Sequence, residues 1–339
     1  MAFLNLRFPA LLVLLLLAMP VFPARAQPFA ENVAKAEEYL VNHFNPSIGL
    51  IYESEDPGEH WLSHEQTGYR WGYNQTYWLY SDNLFAYLAL RHDFPQISRR
   101  IQDAIRSYRQ PPSDLFEVLT GERINLPLHN AQDLMVAKDQ VHVIMIRRHN
   151  ATSIALGVYV DFWMYLALER ALEGDLLGAS SLVRQAEWLW RGNGLWDWSF
   201  TIYDHMFSNQ KLALLIFTSR AIGVSLEHEA EMEAHLWSMQ NSDGGVTSLS
   251  YPTGKKAGSA NAETTALAIL MYDQSLLSRF PKVQESKESQ AELLPISVLE
   301  GIAALLTIMI LFRRRVPRSS PVNTSKPVHC KRGVKPGLQ

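Results

Sequence analysis

The chain has 339 residues, 47% hydrophobic and 11% aromatic, with a formal net charge of −3. Ten of the 31 Lys and Arg lie outside residues 27–292 but only Glu300 of the 34 Asp and Glu does, leaving that region 21 basic and 33 acidic side chains. So acidic a domain argues against nucleic acid, whose phosphates are held by Lys and Arg.

Residues 1–26, MAFLNLRFPALLVLLLLAMPVFPARA, carry one early charge (Arg7), a leucine-rich core and the cleavage pattern Ala24-Arg25-Ala26. This predicts a signal peptide, with the mature chain starting at Gln27. Phe29, Val33, Ala36, Leu40 and Phe44 then recur at helical spacing, predicting a helix over Phe29–Phe44 that Asn45-Pro46 stops. In the following stretch, His60 and His64 are four apart, a spacing that on a helix would resemble a zinc site. Pro57-Gly58 and Gly68 predict a loop instead, and the order is not His-Glu-x-x-His, so no metal and no cofactor is expected.

Asp82–Arg91 and Pro95–Tyr108 are the next predicted helices. Phe116–Ile124 reads as a hairpin around Gly121, and Val141–Ile146 (VHVIMI) as a strand. Val158–Leu172 and Leu176–Trp190 form a helical pair around Glu173-Gly174-Asp175. Gln210–Ile222 and Glu227–Met239 form another around Gly223, and a last helix runs from Ala262 to about Leu277. Trp188 and Trp237, at helical spacing, are expected in the core. Asn74-Gln75-Thr76 and Asn150-Ala151-Thr152 match the glycosylation acceptor motif.

Residues 281–292 (PKVQESKESQAE) are polar and without periodicity, a predicted stalk of at most ~35–45 Å if fully extended. Leu293–Phe312 is apolar and long enough to cross a hydrocarbon core of about 30 Å. Arg313, Arg314, Arg315 and Arg318 follow, which by the positive-inside tendency places residues 313–339 in the cytoplasm. The expectation is therefore a single-pass type I chain with the 27–280 domain outside and a basic tail suited to anionic lipid. The single cysteine, Cys330, lies in that tail, so the outer domain holds its core without disulfides. Glu300 lies within about two turns of the outer end of the apolar run, where it can reach the headgroups.

The helices fall into two kinds. FAYLALR (Phe85–Arg91), WMYLALER (Trp163–Arg170), KLALLIFTSR (Lys211–Arg220) and TALAILMY (Thr265–Tyr272) are almost wholly apolar. Their partners, such as IQDAIRSY and EHEAEMEAHLW, are charged and amphipathic. An α/α toroid needs that contrast, because inner helices are buried all round and outer ones along a single stripe.

WSMQNSDGGV followed by ETTALAIL resembles the repeats of α/α-toroid proteins: terpenoid cyclases, protein prenyltransferases, complement-like thioester domains and, more loosely, six-hairpin glycosidases. Gln240, Asp243, Gly244 and Gly245 match the Gln-x-x-Asp-Gly-Gly turn of those families. YWLYSDNLFAYLAL and the 192–217 segment are also similar to archaeal membrane-anchored surface proteins. The resemblance implies a mainly α toroid over roughly residues 30–280, here with a small β insert. Several of its activities are removed by subtraction. The chain has no D-x-D-D acid motif for cyclisation, no ectodomain cysteine for a zinc prenyltransferase and no Cys-Gly-Glu-Gln thioester segment.

What remains is carboxylates among aromatics. All nine tryptophans lie in the outer domain, six of them (Trp61, Trp71, Trp78, Trp190, Trp196 and Trp198) in or beside predicted loops. If the inner helices form a barrel, the loops entering their N-termini bring Asp82, Asp197, Asp204 and Glu263 toward one cleft as candidate acids. Trp78, Tyr80, Asn83, Trp196 and Trp198 would then be candidate substrate contacts. Paired acids and aromatic plates suit sugar rings. Structural roles compete for several of these: Asp82 and Asn261 are placed to cap helices, Glu263 complements a helix dipole, and Asp243 fits a turn. Two functions follow: a carbohydrate-active domain with a glycan or cell-envelope partner, or a non-catalytic surface scaffold or adhesion domain.

Overall fold

The computed structural model describes residues 29–52, 77–108, 115–124, 129–138, 141–153, 159–197, 201 and 205–283. The expected signal peptide, membrane segment and tail lie outside these residues, as do stalk residues 284–292. Among the described residues, no helix is long and apolar enough to cross a membrane.

Among the described residues the domain is mainly helical, with three small sheets. In chain order the helices are α1 (Ala30–Asn42), α2 (Tyr80–Ala89), α3 (Pro95–Tyr108), α4 (Val160–Glu173), α5 (Leu176–Glu187), α6 (Asn209–Ile222), α7 (Glu229–Ser238), α8 (Ala262–Leu270) and the short α9 (Gln274–Leu277). Three of the four apolar helices are enclosed nearly all round, while α4 has only half of its 14 residues buried. In α6 every residue but Gln210 and Arg220 is buried, and in α8 every residue but Glu263. α2 is nearly as enclosed, with Tyr87 its one half-exposed position.

These apolar helices touch in series, α2 against α8, α8 against α6, and α6 against α4. A 3₁₀ turn (Leu115–Thr120) packs against both α4 and α2, where the Phe116 ring stands edge-on to Phe85 (5.6 Å) and Tyr165 (5.5 Å). The amphipathic helices lie against them: α1 on α8, α3 on α2, α5 on α4 and α6, and α7 on α6. The alternation thus follows from which helices have a polar side to leave in water.

The Gln-x-x-Asp-Gly-Gly turn joins the beginning of the domain to its last hairpin. Gln240 Nε2 donates to the Asn32 carbonyl (2.7 Å) and the Gly244 carbonyl (2.9 Å), while Asn32 Nδ2 donates to Gln240 Oε1 (2.7 Å). Gly244 has φ +95°, and a Cβ there would lie 2.0 Å from the Lys35 carbonyl oxygen of α1. A Cβ at Gly245 would lie 2.5 Å from the Tyr39 ring. Both glycines are therefore required by close packing against α1. Beside this turn, Phe29, Trp237 and Tyr272 stack in sequence, and the Arg220 guanidinium lies over Tyr272.

β1 (Phe44–Asn45) pairs antiparallel with β2 (Leu50–Ile51). β3 (Tyr77–Leu79) runs parallel to β5 (Val141–Ser153), which pairs antiparallel with β4 (His129–Lys138). β6 (Phe207–Ser208), β7 (Thr247–Ser250) and β8 (Lys256–Ala260) form an antiparallel sheet at the entrances to α6 and α8.

Several local expectations change. Phe116–Ile124 is a 3₁₀ turn followed by coil, not a hairpin. Val118 and Leu119 are both buried, so they cannot alternate between two sheet faces, and Gly121 (φ +81°) ends the turn. The strand expected at Val141–Ile146 extends to Ser153 because β4 pairs along it. The last helix stops at Leu270, and α9 begins separately with Asp273 as its N-cap, bonded to Leu276 N–H at 3.0 Å. Within the expected stalk, Lys282 Nζ donates to the carbonyls of Arg220, Ala221 and Leu277 and Val283 N–H donates to Ile222 O, so 281–283 belong to the domain.

Candidate functional site

The N-termini of α4, α6 and α8 lie side by side, as two side-chain links show. Lys211, third residue of α6, reaches Asp161, second residue of α4, with Nζ 3.2 Å from Oδ1. Gln210 Nε2 donates to Glu263 Oε1, joining the first turns of α6 and α8 at 3.1 Å. Each helix start directs unpaired N–H groups and the positive end of its dipole to this side, which favours carboxylates there by about 0.3–1 kcal/mol each. Ser208 and Asn261 cap α6 and α8 through Lys211 N–H and Thr264 N–H.

Asp197 is at the centre. Its side chain is wholly buried; Oδ1 accepts from Lys211 Nζ at 2.8 Å and Oδ2 from Val160 N–H at 3.1 Å. Its own N–H donates to Thr201 Oγ1, which donates on to the Met206 carbonyl. Lys211, 4% exposed, also lies over the Tyr159 ring at 5.7 Å. Asp197 thus fastens the 188–197 loop to α4 and α6. Charge repulsion between Asp197 and Asp161 is offset by the lysine they share. Of the two acids, Asp161 is the one that meets solvent, at 24% side-chain exposure.

The remaining candidates divide. Glu263 is half-buried at the same end, on Gln210. Asp82 is wholly buried at the third position of α2, accepting from Ser81 Oγ at 3.3 Å, and is not the N-cap; Leu79 holds that position without a side-chain bond. Asn83 is committed to the backbone, accepting from Ile51 N–H (2.7 Å) and donating to Ile51 O (3.2 Å) and Leu79 O (2.9 Å). It fixes β2 to α2, with both Nδ2 protons and one lone pair of Oδ1 spent on the backbone. Trp78 is 2% exposed, with its ring 4.6 Å from Tyr52, so it is a core residue and not a plate for sugar. Tyr80 is 4% exposed and donates to Glu117 Oε1 at 2.7 Å. Trp196 is half-buried, next to Asp197 in the chain. Asp204, Trp198, Trp61, Trp71, His60, His64 and Asn74 lie outside the described residues.

Trp188 departs from expectation. Trp237 is buried at 4%, but Trp188 is 53% exposed because α5 ends at Glu187 and leaves Trp188 as its C-cap. The β7–β8 tip carries a second open ring, Tyr251, at 47%. The two loops touch, since Asn193 Nδ2 donates to the Pro252 carbonyl. Two exposed aromatics therefore sit on adjoining segments, one following α5 and the other between β7 and β8. Among the described residues, no group of three or more His, Cys, Asp or Glu side chains is arranged to hold a metal ion.

Asp161, Lys211, Gln210 and Tyr251 were not singled out from sequence. Lys211 opens an apolar run, which marks it as unusual, but its partners lie 14 and 50 positions away. Comparison of the chain with protein-family models and with curated proteins gives no match in either.

Proposed function

We propose that this chain is a membrane-anchored extracellular α/α toroid whose function is glycan recognition at the end where the inner helices begin. The serial packing of α2, α8, α6 and α4, with the 3₁₀ turn between α4 and α2, supports a closed ring of helical hairpins. One observation carries the glycan reading. Trp188 and Tyr251 are exposed on touching loops, at the same end as Asp161 and Glu263. Aromatic faces stack on the apolar faces of sugar rings, and carboxylates accept from their hydroxyls.

Binding is favoured over hydrolysis. The most central acid, Asp197, is already held by Lys211 and a backbone N–H, whereas a general acid or base must reach the glycosidic oxygen or a water. The same commitment favours the second reading, a non-catalytic scaffold whose polar residues serve only its architecture.

A glycan array probed with the full-length protein separates the two. Recognition predicts binding to a subset of glycans that Trp188→Ala and Tyr251→Ala abolish. If no glycan is bound, the scaffold reading stands and recognition fails.

A further inference from the structure

Lys211 Nζ stands 2.8 Å from Asp197 Oδ1, with 5% of the lysine side chain and none of the aspartate exposed. An amine and a carboxyl held in contact away from water are the reactants of an amide. In solution that reaction is opposed by the charge on both groups, since an ammonium has no lone pair and a carboxylate resists attack. Enclosure changes this. Moving one proton from Nζ to Oδ1 turns the ion pair into a neutral amine and a carboxylic acid, the forms that burial favours. Fixing the two in contact also replaces collision by an effective concentration that reaches about 10⁵–10⁸ M in well-oriented pairs.

Two further groups fit the reaction. Asp197 Oδ2 accepts at 3.1 Å from the N–H of Val160, the first residue of α4. That N–H and the positive end of the helix draw electron density from Cγ and stabilise the oxyanion formed on attack. Asp161 Oδ1 lies 3.2 Å from Nζ, is shielded from solvent and accepts no aligned hydrogen bond among the described residues. It is placed to take a proton from the nitrogen. A structural ion pair needs one carboxylate, and a second beside it adds repulsion. As a proton carrier the second has a use.

We propose that Lys211 and Asp197 join in an intramolecular isopeptide bond, with Asp161 as its acid–base group. The ion pair described above is the reactant. After the first proton has passed to Oδ1, the Nζ lone pair attacks Cγ and forms the C–N bond, placing negative charge on Oδ2. Asp161 accepts a second proton from the nitrogen and delivers it to the Oδ1 hydroxyl. The Cγ–Oδ1 bond breaks, Oδ2 becomes the amide carbonyl on Val160 N–H, and one water leaves. Its way out is the solvent that reaches the Asp161 side chain, 24% exposed. No oxidant, reductant or other reactant is consumed. The bond ties the 188–197 loop to α6 in a domain with no cysteine between residues 27 and 292. The proposal does not rest on glycan recognition, and the two can fail separately.

Tryptic digestion of the full-length protein, denatured after purification, with tandem mass spectrometry tests it. Residues 192–210 contain no Lys or Arg, and trypsin does not cut at a lysine whose amine is in an amide. The parent is expected to give the peptide 192–220, uncut at Lys211 and lighter than its sequence by one water. Asp161→Ala keeps both bond partners and should give 192–211 at full mass, cut at Lys211. Asp197→Ala should likewise be cut there. A succinimide at Asp197 also loses one water but leaves Lys211 open to trypsin, so that result counts against the bond. Complete cleavage after Lys211 in the parent would overturn the proposal. An Asp161→Ala protein linked as fully as the parent would overturn the part given to Asp161.

Discussion

Gln240 and Asn32 stand 208 residues apart and hydrogen-bond to each other twice, side chain to side chain and side chain to backbone. This pair, with Gly244 against the Lys35 carbonyl, fastens the first helix of the domain to its last hairpin. The turn that carries the resemblance to toroid repeats acts as a clasp.

The clasp should break at Gly244. Gly244→Ala adds a methyl against a backbone oxygen at a positive φ, and neither can move aside easily, so a loss of about 2–4 kcal/mol is expected. Gln240→Ala, which removes hydrogen bonds without a clash, should cost about 1–2 kcal/mol. Urea denaturation of both variants checks the ranking; Gly244→Ala being the milder of the two would contradict it.

Lys211→Met should destabilise by about 3–5 kcal/mol, because it leaves Asp197 buried without its cation and facing Asp161. Adding Asp197→Asn to that variant should recover part of the loss. A double-mutant cycle read by chemical denaturation gives the coupling, and strictly additive losses would rule out the shared-lysine account.

Asn83→Ala should cost about 2–4 kcal/mol, since the Ile51 N–H and two carbonyls lose their partner inside the protein. The variant should bind any glycan as the parent does while it remains folded. Selective loss of binding at unchanged stability would return Asn83 to the list of ligand contacts.

Glu37, on α1, predicts a pH dependence. Burial first, and then the neighbouring Asp93 carboxylate, push its pKa up to about 7 from 4.5. An acid with a raised folded pKa holds its proton more tightly when folded, so its stabilising contribution is full below about pH 4.5 and is lost as pH rises through 7. The loss is roughly 3 kcal/mol at most. Thermal melts from pH 5 to 8 should show this slope in the parent and a flatter one in Glu37→Gln.

Trp188→Ala and Tyr251→Ala should change stability by less than about 1 kcal/mol, because half of each side chain is already in water. Both should abolish glycan binding. Retained binding in both variants would remove the aromatic surface from the proposed site.

The helices were legible because apolar periodicity and capping are local properties of the chain. Asn261, for example, marks the start of α8 in the sequence and does so in the structure. Helix ends were less legible, and that had functional weight. Trp188 fits the apolar spacing of α5, but one residue past the last turn it becomes an exposed C-cap. The candidate acids were legible only as a set. Asp197 and Glu263 do lie at the helix-start end, and nothing local distinguished Asp197, paired and enclosed, from Asp161, which solvent reaches.

By itself the sequence determined composition, charge and the alternation of wholly apolar with amphipathic helices. These follow from nearest neighbours along the chain and from the cost of leaving apolar surface in water. Only the tertiary structure decided which polar side chains are already answered. That depends on partners such as Lys211 for Asp197 and Ile51 for Asn83, which the folding of distant segments brings within hydrogen-bond reach.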